Sequence, residues 1–317
     1  MWRILAALAF SFIAGAAAAQ DYPSRPVHLI VPFTPGTGAD ILARLVGMKL
    51  SERWKTAVIT DNRPGATGNI GAELVAKSPP DGHAVLFTAT SFASNPAMTR
   101  TPYDPQKSFA PVALVATSSL AVLINPDVAA RDMREFVALA KAQPGKLHYG
   151  SPGSGGVQHL AMELIKLETG IDVVHVPYKG LGGAVSDTVA GHVQATVAAL
   201  QSVAPHVQSG KLRMIAVLSA GRAAAFPDVP TLKEQGLPDL EVDTWYAAFA
   251  PAGTPAAVIR KLNAAINDSL NDAAIKASLE KQGMIPAGGD PARLELLLKK
   301  ELARWARVVN ASGIKAD

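Results

Sequence analysis

Two glycine-rich segments are the part of this sequence best suited to bind an anion. They read Pro35-Gly36-Thr37-Gly38 and Gly153-Ser154-Gly155-Gly156, and each lies between a predicted strand and a predicted helix. A helix N-terminus carries unpaired backbone N–H groups and a partial positive charge. Glycine lets that backbone come close to a bound group. The pattern predicts two anion-binding loops, while the alternative that each is only a tight turn capping its helix stays open.

Polar side chains at other predicted strand ends extend this candidate site. Asp40 either caps the first helix or pairs with a ligand ammonium. Lys179 either contacts a distal carboxylate or stays in solvent. Trp245 and Tyr246 either line a hinge or fill the core. The hydroxyl, amide and phenol groups that complete the set belong to Thr37, Ser91, Ser151, Ser154, Tyr178 and Gln201.

Cofactor-binding motifs do not fit the same loops. Gly36-x-Gly38 is followed by Ile41, where a dinucleotide fingerprint has its third glycine. The segment Gly150–Gly156 lacks the Lys-Ser/Thr pair of a phosphate-binding P-loop. No pair of histidines with an acidic neighbour has metal-ligand spacing. We therefore expect no cofactor and no metal.

A serine-dependent hydrolase is the enzyme alternative. Ser151 or Ser154 would be the nucleophile, and the candidate bases are His148, His159 and His175. The surrounding sequence, G-S-P-G-S-G-G, lacks the usual nucleophile-elbow context. We expect a protein that is not an enzyme and has no catalytic residue.

The N-terminus predicts export. Residues 1–19 combine Arg3, an apolar run from Ile4 to about Ala14, and small residues ending at Ala19, which is the layout of a secretory signal peptide. The apolar run is shorter than the roughly 20 residues that cross a membrane. Cleavage is expected after Ala19. The sequence has no cysteine, so neither a disulfide framework nor a lipoprotein anchor is expected. An untethered receptor is useful only where it is confined, which favours the periplasm, and a released extracellular protein is the alternative.

Length and charge narrow the class further. A chain of 317 residues is long for one core and predicts two domains. The formal net charge of +4 is small and no Lys/Arg run is present, so nucleic-acid binding is not expected. Periodicity predicts strands at 27–31, 57–59, 84–88, 112–116, 121–124, up to 149, 173–176, 195–198 and 214–218, and helices at 40–50, 69–77, 132–142, 157–168, 183–190, 202–209, 256–271, 273–282 and 291–312, with a loop at 91–96. This alternation predicts α/β architecture with parallel sheets.

Longer motifs carry a family resemblance over nearly the whole chain after the signal. They are Val31-Pro32-Phe33-x-Pro35-Gly36-x-Gly38-x-Asp40, Asn62-Arg63-Pro64-Gly65-Ala66-x-Gly68-Asn69-Ile70-Gly71, Tyr149-Gly150-Ser151-x-Gly153-x-Gly155, His159-Leu160, Val176-Pro177-Tyr178-Lys179-Gly180, Pro227-Asp228-Val229-Pro230-Thr231-Leu232, Ala250-Pro251-Ala252-Gly253-Thr254-Pro255 and Glu301-x-x-Arg304-Trp305. The sequence resembles the substrate-binding proteins of tripartite tricarboxylate transporters, also called Bug receptors.

The resemblance implies a two-lobed periplasmic binding protein of type II-like fold, each lobe a sheet covered by helices, with crossing hinge strands. Lobe 1 would be 20–115 plus 245–317 and lobe 2 would be 116–244, with crossings near 113–117 and 242–246. Such a receptor is a monomer that closes around a small carboxylate and delivers it to membrane transporter subunits. A sensor that presents its ligand to a signalling partner would share the same pocket.

The resemblance also implies the ligand contacts, which come from the loop after the first strand and the loop that opens the second lobe's helix. The predicted contacts are Phe33, Pro35, Gly36, Thr37, Gly38, Asp40, Ala66, Thr67, Gly68, Ser91, Ser151, Gly153, Ser154, Gly155, Gly156, His159, Tyr178, Lys179, Gly180 and Gln201. Thr37 departs from a common family glycine, and Leu200-Gln201 departs from a common aspartate. We expect ligand identity to depend on these two positions.

Overall fold

The computed structural model describes residues 22–238 and 240–314, so the predicted signal peptide and its cleavage after Ala19 lie outside the described residues. Its strands are β1 (Val27–Val31), β2 (Val58–Asn62), β3 (Ala84–Ala89), β4 (Phe109–Ile124), β5 (Leu147–Ser151), β6 (Val173–Pro177), β7 (Ala195–Ala199), β8 (Arg213–Val217), β9 (Asp243–Pro251) and β10 (Ile285–Pro286). Its helices are α1 (Gly38–Trp54), α2 (Asn69–Ala76), α3 (Ser91–Met98), α4 (Met133–Ala142), α5 (Val157–Thr169), α6 (Leu181–Ala190), α7 (Leu200–Gln208), α8 (Ala256–Asn271), α9 (Ala273–Lys281) and α10 (Pro291–Ser312).

Strand β4 belongs to two sheets. Its first part, Phe109–Ser119, pairs with β9, which continues the order β2-β1-β3-β9-β4. Its last part, Leu120–Ile124, pairs with β7 on one side and β8 on the other, and β5 and β6 follow beyond β7. The predicted two-lobed architecture with crossing strands is therefore confirmed. The exact lobe boundaries stay a prediction, and the partner of β4 changes between Ser119 and Leu120.

The inner strands form because their sequences are apolar on both faces. The β1 residues VHLIV are almost entirely buried, as expected for a parallel strand with helices on both sides. β1 pairs in parallel with β2 and β3, and β5 does the same with β6 and β7. The carboxyl ends of β1 and β5 lead into α1 and α5. This arrangement places both glycine loops at the helix N-termini where ligands bind in open α/β sheets.

The prediction of a loop at 91–96 is wrong, because these residues form most of helix α3. The Ser, Asn and Pro content indicated a loop, but tertiary packing outweighs that preference. Phe92 is buried and packs against the rings of Tyr103, Phe109 and Phe249 at centroid distances of 4.9–5.7 Å. Pro96 stands late in the short helix, where its missing N–H costs a single intrahelical bond.

The crossing strands also differ from the sequence prediction. The two strands expected at 112–116 and 121–124 are one continuous strand, since Ser118 and Ser119 continue the pairing with β9. Strand β9 was expected only as a crossing segment, and it pairs antiparallel with both β3 and β4. The sheets are therefore mixed rather than purely parallel. β4 carries the chain from the first sheet to the second, and β9 carries it back beside β4 in the opposite direction, so the two strands pair antiparallel.

Helix α10 lies across both sheets. It packs against α3 beside the first sheet and against α5 beside the second, and it contacts β4. Trp305 at its centre is fully buried. The Arg307 guanidinium pairs with the Glu168 carboxylate of α5 at 2.5 Å. The C-terminal helix therefore connects the two lobes on one side of the crossing strands.

Within residues 22–238 and 240–314, none of the helices has the length and apolar character needed to cross a membrane.

Candidate functional site

The loop after β1 is held in place by the carboxylate of Asp40. The Gly36 N–H donates to Asp40 Oδ2 at 2.9 Å, the Asn62 amide donates to Oδ1 at 2.9 Å, and the Arg44 guanidinium donates to both oxygens at 3.1 Å. Asn62 also donates to the Phe33 carbonyl at 3.1 Å. The side chain of Asp40 therefore ties the loop to helix α1 and to the end of β2.

These contacts support neither of the two hypotheses for Asp40. Burial alone raises the pKa of a carboxyl group, but the hydrogen bonds from Arg44, Gly36 and Asn62 lower the pKa of Asp40 below its usual value. The carboxylate is buried and its oxygens are used by the protein, which leaves a ligand ammonium without support. It is not the helix N-cap either, since that position is Thr37, which makes no side-chain capping bond. Asp40 stabilises the conformation of the loop through these hydrogen bonds.

Gly38 lies in close approach to side chains of β9 and of the segment before β10. A Cβ atom at this position would lie 2.4 Å from the Tyr246 hydroxyl and 2.8 Å from Met284 Cε. Real Cβ atoms do not come this close to other heavy atoms. The N-terminus of α1 therefore packs directly on the crossing strand and on the segment before β10. Tyr246 packs against the core of the first lobe, and this contact also places its ring beside the first glycine loop at the crossing strands.

A second loop of the first lobe adopts a left-handed turn. Ala66, Thr67 and Gly68 have φ angles of +46°, +54° and +97°. Two successive non-glycine residues in this region cost about 1–2 kcal/mol each, so surrounding contacts must hold them. The Asn95 amide donates to the Thr67 carbonyl at 2.9 Å. Strain of this kind is concentrated at ligand-binding sites, which supports the predicted role of this segment.

Hydrogen bonds to Asn69, the residue that follows the turn, hold the turn in place, and the turn packs against the first glycine loop. The Asn95 amide and the Tyr103 hydroxyl both donate to Asn69 Oδ1, at 3.0 and 2.7 Å. A Cβ atom on Gly68 would lie 3.4 Å from the ring of Phe33. The structure therefore brings together the two predicted loops of lobe 1. Ser91 lies in the first turn of α3, the helix that carries Asn95.

The loop opening α5 is built on two histidines. Ser151 is fully buried, and its Oγ lies 2.7 Å from His175 Nε2 and 2.9 Å from the Gly153 carbonyl oxygen. The Gly155 N–H donates to His159 Nδ1 at 3.0 Å. Gly153 and Gly155 have φ angles of +142° and +75°, which only glycine adopts without strain. His159 lies beneath the loop and holds its backbone.

The burial of Ser151 weighs against the hydrolase alternative. The pairing with His175 resembles a nucleophile and its base in distance alone. A nucleophile must reach its substrate, whereas Ser151 has no exposed surface. Its hydroxyl is held between the imidazole and the Gly153 carbonyl. These contacts fix the loop and do not favour hydrolysis.

Tyr178, Lys179 and Gly180 form the neighbouring loop of the second lobe. The Tyr178 N–H donates to the Ser151 carbonyl at 2.9 Å, so this loop adjoins the one opening α5. The Tyr178 hydroxyl donates to the Asp187 carboxylate at 2.7 Å, which occupies it within the protein. Lys179 is exposed, in agreement with a solvated side chain. Gly180 has a φ angle of +123° at the start of α6.

The two lobes meet beside these loops. A Cβ atom on Gly155 would lie 2.6 Å from the sulfur of Met98, the last residue of α3. The absence of a side chain at Gly155 therefore lets the second lobe approach the first. Ser154 and Gly156 flank this contact.

Gln201 lies beside the crossing strands and the segment before β10. Its Oε1 lies 3.4 Å from the Ser118 hydroxyl, and its side chain fills the space beside Gly283. It lines a cavity of about 1180 Å³ at the crossing strands, bounded by α7, α9 and the segments 219–226 and 283–289. Neither glycine loop lines this cavity. The structure therefore groups Gln201 with the hinge.

Several residues of the site were not found from the sequence. Asn62, Asn95 and Arg44 hold the loops of lobe 1 through hydrogen bonds described above, and Met98 and Met284 lie at its margins. Only Asn62 carried a signal, since it begins the motif Asn62–Gly71. The others come from helices and segments distant in sequence, where ordinary polar or apolar residues give no sign of their partners.

Comparison with known proteins agrees with this architecture. The family model for the tripartite tricarboxylate transporter family receptor matches residues 42–314. A UPF0065 protein encoded in the tcbD-tcbE intergenic region of Pseudomonas sp. strain P51 is 38% identical and covers 99% of this chain and 95% of its own. Protein BugT of Bordetella pertussis is 35% identical, with 99% of both chains covered.

Solved structures show the same fold. A TctC solute binding protein from Polaromonas has a TM-score of 0.84 at 30% identity, covering 92% of this chain and 99% of its own. R. palustris Rpa4515 with adipate has a TM-score of 0.77 at 32% identity, covering 94% and 100%. MatC from Rhodopseudomonas palustris with bound malate has a TM-score of 0.74 at 29% identity, covering 91% and 100%.

Two sheets joined by crossing strands, with a glycine loop at a helix N-terminus in each lobe, define a solute-binding receptor of the periplasmic binding protein class. The chain belongs to the tripartite tricarboxylate transporter family of receptors. The solved relatives are periplasmic binding proteins, which supports a periplasmic location for this chain.

Proposed function

We propose that this receptor captures a small carboxylate between the two glycine loops. The observation that carries the proposal is that both loops end at helix N-termini whose supporting side chains, Asp40 and His159, are turned into the protein. The backbone N–H groups at these termini favour an anion. Relatives of 29–32% identity are described with adipate and with malate, both dicarboxylates.

Capture would proceed by lobe closure without chemistry. A ligand that contacts both loops stabilises the closed form over open forms, and its differential affinity sets the size of the shift. The contact between Gly155 and Met98 limits how closely the two lobes approach each other. Phe33, which packs against Gly68, supplies an apolar wall beside the first loop.

Membership of the same family supports a proposal for the location and partners of this receptor. We propose export by the signal peptide at 1–19, cleavage after Ala19, and release of an untethered monomer into the periplasm. Its partners would be the membrane subunits of a tripartite tricarboxylate-type transporter. A size-exclusion experiment on the secreted protein, with N-terminal sequencing, checks both the monomer and the cleavage site.

The ligand class is tested by thermal shift and calorimetric titration on residues 20–317. Adipate, malate, a tricarboxylate, an amino acid and an aromatic acid form the panel. A carboxylate at 100 times its Kd is expected to stabilise the protein by about 2.7 kcal/mol. No stabilisation by any carboxylate would contradict the proposal.

Two variants test the location. Thr37→Asp and Ser154→Asp place a negative charge in each glycine loop, and each is expected to weaken binding by at least tenfold, or about 1.4 kcal/mol. Ser24→Asp is the matched control, since Ser24 is exposed before the other end of β1. Equal binding by all three variants would place the ligand elsewhere.

A further inference from the structure

The second-lobe loop rests on a pair of stacked imidazoles. The rings of His159 and His175 are 3.7 Å apart with an interplanar angle of 12°. Each ring also contacts the loop, through Ser151 Oγ at His175 Nε2 and the Gly155 N–H at His159 Nδ1. His159 comes from α5 and His175 from β6. The pair therefore connects a helix, a strand and the loop between them.

We propose that His159 and His175 are positioning residues that couple ligand affinity to pH through this loop. The proposal rests on the proposed function, since the loop is one half of the carboxylate site. Neither imidazole is assigned a contact with the ligand. They act by fixing the backbone of Gly153, Gly155 and the intervening Ser154.

The protonation state of His159 determines whether ligand affinity rises or falls with pH. Its Nδ1 accepts a hydrogen bond from the Gly155 N–H, which requires an unprotonated Nδ1 lone pair. A proton added to Nδ1 converts this acceptor into a donor that faces another donor. The Gly155 N–H must then turn away, and the loop loses the conformation with φ of +75° at Gly155. Acidification is expected to weaken binding.

His175 makes protonation of the pair less favourable still. The Ser151 hydroxyl has one hydrogen, and it lies 2.9 Å from the Gly153 carbonyl. With that hydrogen donated to the carbonyl, His175 donates its Nε2–H to Oγ. Two cationic rings stacked at 3.7 Å would repel each other. The pair therefore takes up its protons in coupled steps.

Tyr149, Glu163 and Lys166 are titratable groups that lie beside the histidine pair. The ring of Tyr149 lies 5.0 Å from His175 and 6.2 Å from His159, and burial raises its pKa far above the physiological range. Its hydroxyl donates to the Glu163 carboxylate of α5 at 2.7 Å. Lys166 pairs with the same carboxylate at 2.7 Å, which balances its charge. Across the lobe interface, Met98 faces Gly155 with an uncharged thioether.

The experiment measures adipate affinity by calorimetry between pH 5 and pH 8 for the wild type and His159→Asn. The Oδ1 atom of asparagine can accept the Gly155 N–H in place of Nδ1 and does not titrate in this range. Dividing the wild-type affinity by the His159→Asn affinity at each pH cancels the effect of protonation of the ligand itself. The wild-type affinity divided by the variant affinity is expected to fall as the pH is lowered, by up to about tenfold for each pH unit once an imidazole of the pair takes up a proton.

Further variants separate positioning from folding. His159→Leu removes the acceptor and is expected to weaken binding at least tenfold at pH 8. His159→Asn keeps an acceptor and is expected to retain most of the wild-type affinity at that pH. His175→Gln keeps a donor for Ser151 and tests the second ring in the same way. His206→Asn, on α7 and outside the pair, is the matched control and should follow the wild-type pH profile. Circular dichroism confirms that each variant is folded.

A second readout does not need a ligand. The amide resonance of Gly155 in the ligand-free protein should titrate with pH in the wild type and stay constant in His159→Asn. An affinity ratio that is constant or rises on acidification, or a Gly155 resonance that does not titrate, would overturn the inference. If no carboxylate binds at any pH, the proposed function fails, and the Gly155 resonance still decides the role of the histidines.

Discussion

At the scale of single residues, the two glycine loops depend on side chains that are turned into the protein. Asp40 and His159 both accept hydrogen bonds from loop N–H groups and are both buried. A buried acceptor without its donor is costly, so these contacts fix the loop in one conformation before a ligand arrives. Preorganisation of this kind lowers the entropy that binding must overcome.

Asp40→Ala tests this dependence in the first loop. Removal of the carboxylate leaves the Gly36 N–H and the Asn62 amide without their acceptor, and we expect the free energy of unfolding to fall by about 1–3 kcal/mol. Because the pKa of Asp40 is lowered in the folded state, its contribution is present above the unfolded pKa and lost as pH falls through the folded value. Urea unfolding at pH 7 and pH 3 measures both effects. Asp61→Ala, beside an exposed Arg63, is the control and should change stability by less than about 1 kcal/mol.

Gly38→Ala tests the contact between α1 and β9. The added methyl group would overlap the Tyr246 hydroxyl, and we expect a loss of about 1–3 kcal/mol from overpacking. Tyr246→Phe removes the nearest atom and should recover part of this loss in the double variant. Denaturant unfolding of the four proteins in the cycle gives the coupling energy. Purely additive effects would contradict the contact.

At the scale of secondary-structure elements, the start of β9 carries an unusual acid. Burial raises the pKa of Asp243 to about 6, and the negative charges of Glu241 and Glu301 act in the same direction. The Ser119 hydrogen bond and Arg304 oppose this shift and do not cancel it. Asp243 pairs with Ser119 of β4 at the point where the chain crosses between the sheets. An ionised carboxylate therefore destabilises the crossing strands.

Asp243→Asn should remove this pH dependence. A raised folded-state pKa means that the wild type loses stability as pH rises from about 4 to about 6, by an amount on the order of 2–3 kcal/mol. Asparagine keeps the shape of the side chain without the charge. We expect the variant to be more stable than the wild type at pH 8 and nearly equal to it at pH 4. Thermal unfolding across this range checks the sign, and equal stability at pH 8 would refute the assignment.

The elements also show what sequence can predict. Helices α8 and α10 were predicted at their observed bounds because apolar periodicity and flanking proline or aspartate define them locally. Helix α3 was missed because its stability comes from Phe92 and Asn95, whose partners lie on β4, β9 and the turn at Ala66–Gly68. The same limit applies to the site. Glycine loops are visible in sequence, while Asn95 and Met98 reach them only through the fold.

At the scale of the whole molecule, the two lobes are not independent. Strand β4 belongs to both sheets, and α10 packs against helices of both. Disruption of either sheet therefore removes pairing partners from the other. The fold therefore predicts that the two lobes unfold together in one transition rather than one after the other.

Differential scanning calorimetry tests this coupling. We expect a single transition whose calorimetric and van't Hoff enthalpies agree, in the absence and in the presence of ligand. Trp305→Ala, at the centre of α10, should lower the stability by about 3–5 kcal/mol. If the lobes were separate units, this variant would split the transition into two.

The pairing of Ser119 with Asp243 has a consequence for the evolution and engineering of such receptors. The chain enters and leaves the second sheet at two neighbouring, hydrogen-bonded positions, so residues 120–242 form an insertion with adjacent ends. An insertion of this kind can be exchanged as a cassette, because its two junctions stay in register with the host strand. Chimeras that exchange this segment between family members should combine the glycine loop of one lobe with that of a new partner lobe, provided that the Arg307–Glu168 pair is kept.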